Sequence, residues 1–283
     1  MLSKLFKGSL LSAGVAGAVC VTTPAVEAQE APAVNNGEIA FSFAVDVTTN
    51  YYFRGFEQED SGLIVQPDFS VSTEVAEGIS VYVGTWQSLH TDETGASPGP
   101  GPDFWYESDF YTGVTLALIE NFEFDISYIA YLYPGGAFND IHELDIAAGY
   151  DASSILDGLG FGALVAIELR DDNGTEDVYG ELSAGWGTDI VEGGDYPVTL
   201  DLGATLGLSL DDYYTDAGGD NEFFGYLQFD VGVSTPLAFI PDEYGSWSGG
   251  ATISFIILNG DVALEDSGGD FAVVGTVGIS ADY

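Results

Sequence analysis

From Ile39 to Phe56 the chain reads IAFSFAVDVTTNYYFRGF, and its polarity alternates residue by residue. Ile39, Phe41, Phe43, Val45 and Val47 are apolar, whereas Ala40, Ser42, Ala44, Asp46, Thr48 and Asn50 are small or polar. A period of two puts the two sets on opposite faces of a β-strand. The segment predicts one strand of about 15 residues, far beyond the usual 5–6, closing on Tyr51, Tyr52 and Phe53 before Arg54-Gly55. A strand that long, alternating throughout and capped by aromatics suits the wall of a transmembrane barrel.

The same alternation predicts strands near 63–75, 79–89, 106–118, 122–133, 141–150, 160–170, 178–186, 198–209, 224–234, 249–258 and 271–283. In the ninth, Val198, Leu200, Leu202, Ala204, Leu206 and Leu208 face one way, and Thr199, Asp201, Gly203, Thr205, Gly207 and Ser209 the other. The total is about twelve, an even number as bacterial single-chain barrels have. Links at 76–78, 119–121 and 151–159 are short or moderate, while those at 90–105, 134–140, 171–177, 210–223 and 259–270 are mostly longer and acidic. Short periplasmic turns opposite longer outer loops are the barrel arrangement; the links at 187–197 and 235–248 are longer than it expects.

Many of the 38 glycines fall on the polar parity, among them Gly113, Gly149, Gly162, Gly185, Gly203, Gly207, Gly232 and Gly278. Small inward residues let a tilted sheet close and leave space inside. Phe104-Trp105-Tyr106, Tyr131, Tyr133, Tyr213-Tyr214, Phe223-Phe224, Trp186 and Trp247 lie near strand ends, where interfacial girdles belong. The last strand sets Phe271, Val273, Val277 and Ile279 on one face and ends at Tyr283. That ending is similar to the C-terminal signal read by barrel-assembly machinery, a partner the chain is expected to use along with outer-membrane lipid.

The N-terminus adds a compartment. Lys4 and Lys7, a short apolar run from Leu10 to Val21 and the small residues around Val26-Glu27-Ala28 predict a secretory signal over 1–28, a periplasmic lead-in over 29–38 and a barrel over 39–283. The apolar run is broken by Ser12, Gly14 and Gly17 and falls short of the ~20 residues of a helical span. Cys20, the single cysteine, lies inside the signal, so the mature chain is expected to have no disulfide and no thiolate metal site. After Ala28 no run of 18 apolar residues occurs, which excludes helical spans.

Charge then narrows the partners. Lys4, Lys7 and Glu27 leave with the signal, so all but one of the 46 acids remain against Arg54 and Arg170. Such a field repels nucleic acid and gathers cations. With 46% hydrophobic and 13% aromatic residues the chain is nevertheless expected to fold, its acids in loops, turns or a hydrated lumen. Strand parity turns Asp46, Arg54, Asp68, Glu74, Glu107, Asp109, Asp125, Glu143, Asp145, Glu168, Arg170, Glu181, Asp201 and Asp230 inward as candidate pore-lining residues. A guanidinium among them is expected to pair with a carboxylate, fixing strand order or narrowing the pore. His142 has outward parity at the outer rim without a serine in a nucleophile setting, while Ser88 and His90 share an inward face. No catalytic residue, cofactor or metal site is assigned from them. The acidic loops 171–177, 216–222 and 266–270 offer oxygen ligands for weak divalent-cation binding. In the first of them the glycine, Gly174, stands fourth rather than sixth, so it is not an EF-hand loop.

Five pieces, TTNYYFRGFEQ (48–58), GTWQS (84–88), ESDFYTGV (107–114), YLYPGG (131–136) and HELDIAAGY (142–150), follow one another in an order that resembles the TorF family of porin-like outer-membrane proteins. The resemblance implies an outer-membrane barrel, possible channel activity and no reaction. The expectation is therefore an all-β, antiparallel up-and-down barrel forming a narrow, acid-lined, cation-preferring channel for small solutes or ions. The alternatives are a non-conducting barrel that anchors partners or envelope, and a lipid-directed enzyme.

Overall fold

In hydrocarbon every backbone N–H and C=O needs a partner within the protein, so a sheet with one greasy face has to close on itself. The computed structural model describes residues 39–92, 104–169, 177–194, 196–262 and 270–283. Its strands are β1 (Ala40–Thr48), β2 (Tyr51–Phe53), β3 (Phe56–Glu59), β4 (Ile64–Ala76), β5 (Ile79–His90), β6 (Trp105–Ile119), β7 (Phe122–Leu132), β8 (Ile141–Asp151), β9 (Leu159–Glu168), β10 (Val178–Val191), β11 (Val198–Asp211), β12 (Phe224–Pro236), β13 (Ser246–Leu258) and β14 (Phe271–Asp282). β1 and β4 to β14 form one closed antiparallel barrel of twelve strands in which β14 returns to pair with β1. β2 and β3 pair only with each other.

The outer face carries Val83 on β5, Phe110 on β6, Leu182 on β10 and Ile253 on β13, each at least half exposed. An apolar belt running round a closed sheet is the lipid-facing surface of a transmembrane barrel. β1 has 9 residues and β6 has 15, enough to span at the 9–11 residues a tilted strand needs. Links 77–78, 120–121, 152–158, 192–197 and 237–245 lie at the end that holds the start of β1 and the finish of β14, and the links at the other end are mostly longer. The two inner links that looked too long shorten because β10 runs on to Val191 and β13 begins at Ser246.

The first strand differs from its expected course. It does not continue to Phe56: the wall strand ends at Thr48, and after a bend at Thr49-Asn50 the chain folds back as the β2–β3 hairpin. Thr48 Oγ1 donates to the Asn50 carbonyl at 2.9 Å, and Thr49 N–H to the Gly275 carbonyl at 3.0 Å, which holds the bend on β14. Phe53 pairs with Phe56 across Arg54-Gly55, whose φ angles of 49° and 83° are both positive. That is the two-residue turn whose twist suits a tight hairpin. Gly55 takes this conformation freely. Arg54 takes it against the preference of a residue with a long side chain, so the surroundings must hold it there.

Candidate functional site

A segment tethered between β1 and β4 can reach the inward side chains of β6, β8 and β10 only by lying inside the barrel, and the hairpin reaches all three. Tyr51 Oη donates to Glu107 Oε2 at 2.8 Å, with the Tyr51 ring against Trp86 of β5 and Tyr106 of β6. Arg54 donates from Nη1 and Nη2 to the two carboxylate oxygens of Glu143 on β8, at 2.7 and 2.9 Å. Its guanidinium carbon lies 4.8, 4.3 and 5.4 Å from the ring centres of Phe53, Tyr179 and Tyr213. Aromatic faces around a desolvated guanidinium add attraction to the ion pair. Tyr131 Oη gives Glu143 a further hydrogen bond of 2.7 Å. On the other side Phe56 stacks on Tyr214 at 5.5 Å, and Tyr214 Oη donates to the Arg54 carbonyl at 2.8 Å. Burial raises the Tyr213 and Tyr214 phenols, in the link after β11, above the ordinary tyrosine value, so both stay neutral.

Arg54 is the only lysine or arginine among the described residues, and it and Glu143 are almost fully buried. Breaking a buried pair strands the remaining charge, which costs about 3–5 kcal/mol. The hairpin tip is therefore bolted to β8. A second attachment joins the hairpin's base to β5: Ser88 Oγ lies 2.8 Å from His90 Nε2, and His90 Nδ1 lies 3.5 Å from Glu59 Oε2. The order serine, histidine, carboxylate is that of a nucleophile relay. Here Ser88 and His90 are 0% and 1% exposed, Gln66 Nε2 donates to the serine oxygen at 3.2 Å and Tyr106 stacks on the imidazole, so the array serves as a strut. His142 is on the outer wall, its Nδ1 2.7 Å from Tyr128 Oη.

The candidate pore residues divide by depth and partner. Asp68 accepts from Tyr111, and Asp125 from Tyr82 and Thr115; Glu181 accepts from Tyr179, and all three acids are buried. Asp109 and Asp145 are buried, with both Asp109 oxygens and Asp145 Oδ1 lacking a hydrogen-bond partner. Asp46, Glu168, Asp201 and Asp230 are half-buried. Glu74 is exposed near the end of β4, where it accepts the Gly78 N–H of the turn at 3.0 Å. Arg170 lies outside the described residues, as do most of loops 171–177 and 266–270. In loop 216–222 the Asp216 carboxylate turns back on the Gly218 and Asp220 N–H groups of its own loop. Among the described residues no three acid, histidine or cysteine groups gather closely enough to hold a metal ion.

Tyrosine was the component that the parity argument left out. Tyr106, Tyr131, Tyr133 and Tyr214 are buried around the hairpin instead of forming an interfacial girdle, whereas Phe104 and Phe223 are exposed. The indoles of Trp186 and Trp247 bond turn carbonyls at the opposite end of the barrel. The inward glycines do not all leave space. A Cβ on Gly113 would meet Tyr82, and one on Gly207 would meet Tyr226, so these glycines are seats for rings, whereas Gly149 faces open room. The available signal was that Tyr111 shares the inward parity of Glu107 and Asp109.

A cavity of about 130 Å³ opens beside the hairpin, lined by Thr48, Asn50, Gln66, Thr205, Gln228, Ser254 and Thr276 together with Tyr52, Arg54, Tyr226, Ile256 and Val274. A lipid-facing exterior, a polar interior and an outer link folded into the lumen define a porin-like transmembrane barrel. Residues 32–251 match the family model described as "Bacterial protein of unknown function (Gcw_chp)", and the chain belongs to that family. No curated protein matches it. Among solved structures it is similar in fold to the NanC porin (11% identity, TM-score 0.44, covering 84% of this chain and 98% of that one). It is also similar to the KdgM porin in complex with disordered oligogalacturonate (7%, 0.44, 86% and 99%). A third likeness is to the COG4313 outer membrane channel from Pseudomonas putida F1 (9%, 0.43, 92% and 100%).

Proposed function

We propose that the protein is an outer-membrane channel for small solutes or ions whose bore is set by the inward hairpin and whose field prefers cations. The observation that carries this reading is the incomplete filling of the lumen: the hairpin is tied to β6 and β8 through Glu107 and Glu143 and packs through Tyr52 and Phe56 against Tyr214, Tyr226 and Ile256, yet a cavity remains beside it toward β11 to β14 and β1. Arg54 is the only lysine or arginine among the described residues to set against the inward acids, and hydrogen bonds from tyrosine satisfy a carboxylate without adding a positive charge. Rings of carboxylates in a narrow passage concentrate cations. The order of the first-half motifs, similar to the TorF family, supports a porin. The N-terminal residues support export through a cleaved signal, and the β14–β1 seam supports closure by barrel-assembly machinery.

The test is the reversal potential of the refolded mature chain in planar bilayers across a salt gradient. A cation-preferring potential is expected, strong in dilute salt and fading as the Debye length falls from ~10 Å at 0.1 M to ~3 Å at 1 M. An anion-preferring or neutral potential overturns the charge preference. Absence of conductance favours the second reading, a structural barrel, which the tight packing of the hairpin against β5 to β8 supports.

A further inference from the structure

We infer that the cavity beside the hairpin is a binding site for a small, uncharged, hydroxyl-rich solute, a polyol of glycerol size or one end of a sugar. This deepens the channel reading by naming what pauses at its narrowest part, and the binding itself does not require conduction.

The composition of the lining is the first observation. The acids of the mature chain recur on nearly every wall strand, yet no carboxylate lines this cavity. Apart from Arg54, whose charge is taken up by Glu143, its polar groups are hydroxyls and amides, among them Thr48, Gln66, Thr205, Gln228, Ser254 and Thr276.

The second observation is which of these groups remain uncommitted. Gln66 and Gln228 donate from Nε2 to Ser88 and Asp230 and leave their side-chain carbonyls unused. The hydroxyls of Thr205 and Ser254 have no hydrogen bond within the described residues, and neither oxygen is sealed from solvent. On the facing wall the polar groups are consumed or sealed: Glu107 is taken by Tyr51, Glu143 by Arg54 and Tyr131, Asp125 by Tyr82 and Thr115, and the unpartnered oxygens of Asp109 and Asp145 are closed off from solvent. Groups that can still bond a visitor are therefore concentrated on the neutral side.

Three other ligand classes fit poorly. A metal ion would want several carboxylate or carbonyl oxygens converging on it, and among the described residues no group of three acids, histidines or cysteines converges on one point. An anion would want a free cation, and Arg54 is engaged by both oxygens of Glu143. A purely apolar ligand would cover the unused hydroxyls and carbonyls without bonding them, at the desolvation cost of each. A polyol offers a donor and an acceptor at every carbon, and its C–H faces suit the apolar part of the lining, Ile256, Val274 and the ring of Tyr226. A cavity of about 150 Å³ holds benzene, so the 130 Å³ here suits roughly six non-hydrogen atoms, the number in glycerol.

The experiment uses the refolded full-length mature chain and glycerol as probe. Saturation-transfer NMR in a phosphocholine detergent reads contact between glycerol and protein, and the same samples in liposomes read glycerol entry by swelling. Thr205→Val and Ser254→Ala should each weaken binding roughly two- to tenfold, the worth of one net hydrogen bond. Ser254→Phe should abolish it by filling the space, and Gly149→Ala, distant from this lining, should leave it unchanged. Transfer as strong in Ser254→Phe as in the parent, or unaltered in both hydroxyl variants, overturns the site. Specific binding without swelling or conductance upholds the site and defeats the channel reading alone. Conductance with no specific binding does the reverse.

Discussion

The wall of the lumen from β4 to β8 and the wall from β11 through β14 to β1 share one alternation, yet their inward positions are used differently. The first places Asp68, Glu107, Asp109, Asp125, Glu143 and Asp145 inward, all buried, several under tyrosine hydroxyls. The second places Thr205, Gln228, Ser254, Thr276 and Thr48 around open space, with Asp46, Asp201 and Asp230 only half-buried. The difference teaches that acid count alone does not mark a pore. On the proposed channel function, the carboxylates that hold the hairpin in place supply the field, and the neutral groups with unused hydrogen bonds supply the contact surface.

The comparison breaks most visibly at Arg54. Arg54→Ala should destabilise the barrel by about 3–5 kcal/mol, because Glu143 is left buried without its cation. Urea unfolding in detergent followed by tryptophan fluorescence reads the loss, and a change below about 1 kcal/mol would mean that the pair is wet and surface-like. Next comes a matched pair of hydroxyl removals across the two walls. Tyr51→Phe removes a donor from buried Glu107 and should cost about 1.5–3 kcal/mol, the worth of a hydrogen bond to a charged group. Thr205→Val removes an uncommitted hydroxyl and should stay within about 0.5 kcal/mol of the parent. Equal costs would erase the distinction between an anchoring wall and a contact wall.

What was legible in the sequence follows from the same alternation. A period of two fixes which residues face in whether or not the strand order is known, so the twelve-strand wall and the inward setting of Glu107, Asp109 and Glu143 could be read directly. The break after Thr48 could not. Tyr51, Tyr52 and Phe53 prolong an apolar stretch equally well if the strand climbs to a membrane interface or turns into the lumen. Aromatics serve as girdle residues in one case and as packing in the other. The sign that distinguished them was short: two residues ending in glycine, Arg54-Gly55, between the short runs Tyr51–Phe53 and Phe56–Glu59, a hairpin signal without the usual asparagine or aspartate. The neutral cavity was invisible because it is assembled from strands distant in sequence, β1, β4, β11, β12, β13 and β14.

A smaller effect sharpens the account of the glycines. Gly207→Ala pushes a methyl group into the Tyr226 ring and should cost about 1–3 kcal/mol by overpacking. Gly149→Ala meets nothing within 4 Å and should be close to neutral in the same unfolding assay. Similar costs at both positions would return the inward glycines to the role of spacers.

Single-channel conductance tests the central claim that the inward hairpin sets the bore. The refolded mature chain is compared in planar bilayers with a variant in which residues 51–59 are replaced by glycine and serine at unchanged length. The account predicts small unitary currents for the parent and several-fold larger ones for the variant, since the wall strands stay closed while the lumen empties. Equal currents from both proteins, or silence from the variant while it remains a folded barrel, would contradict it.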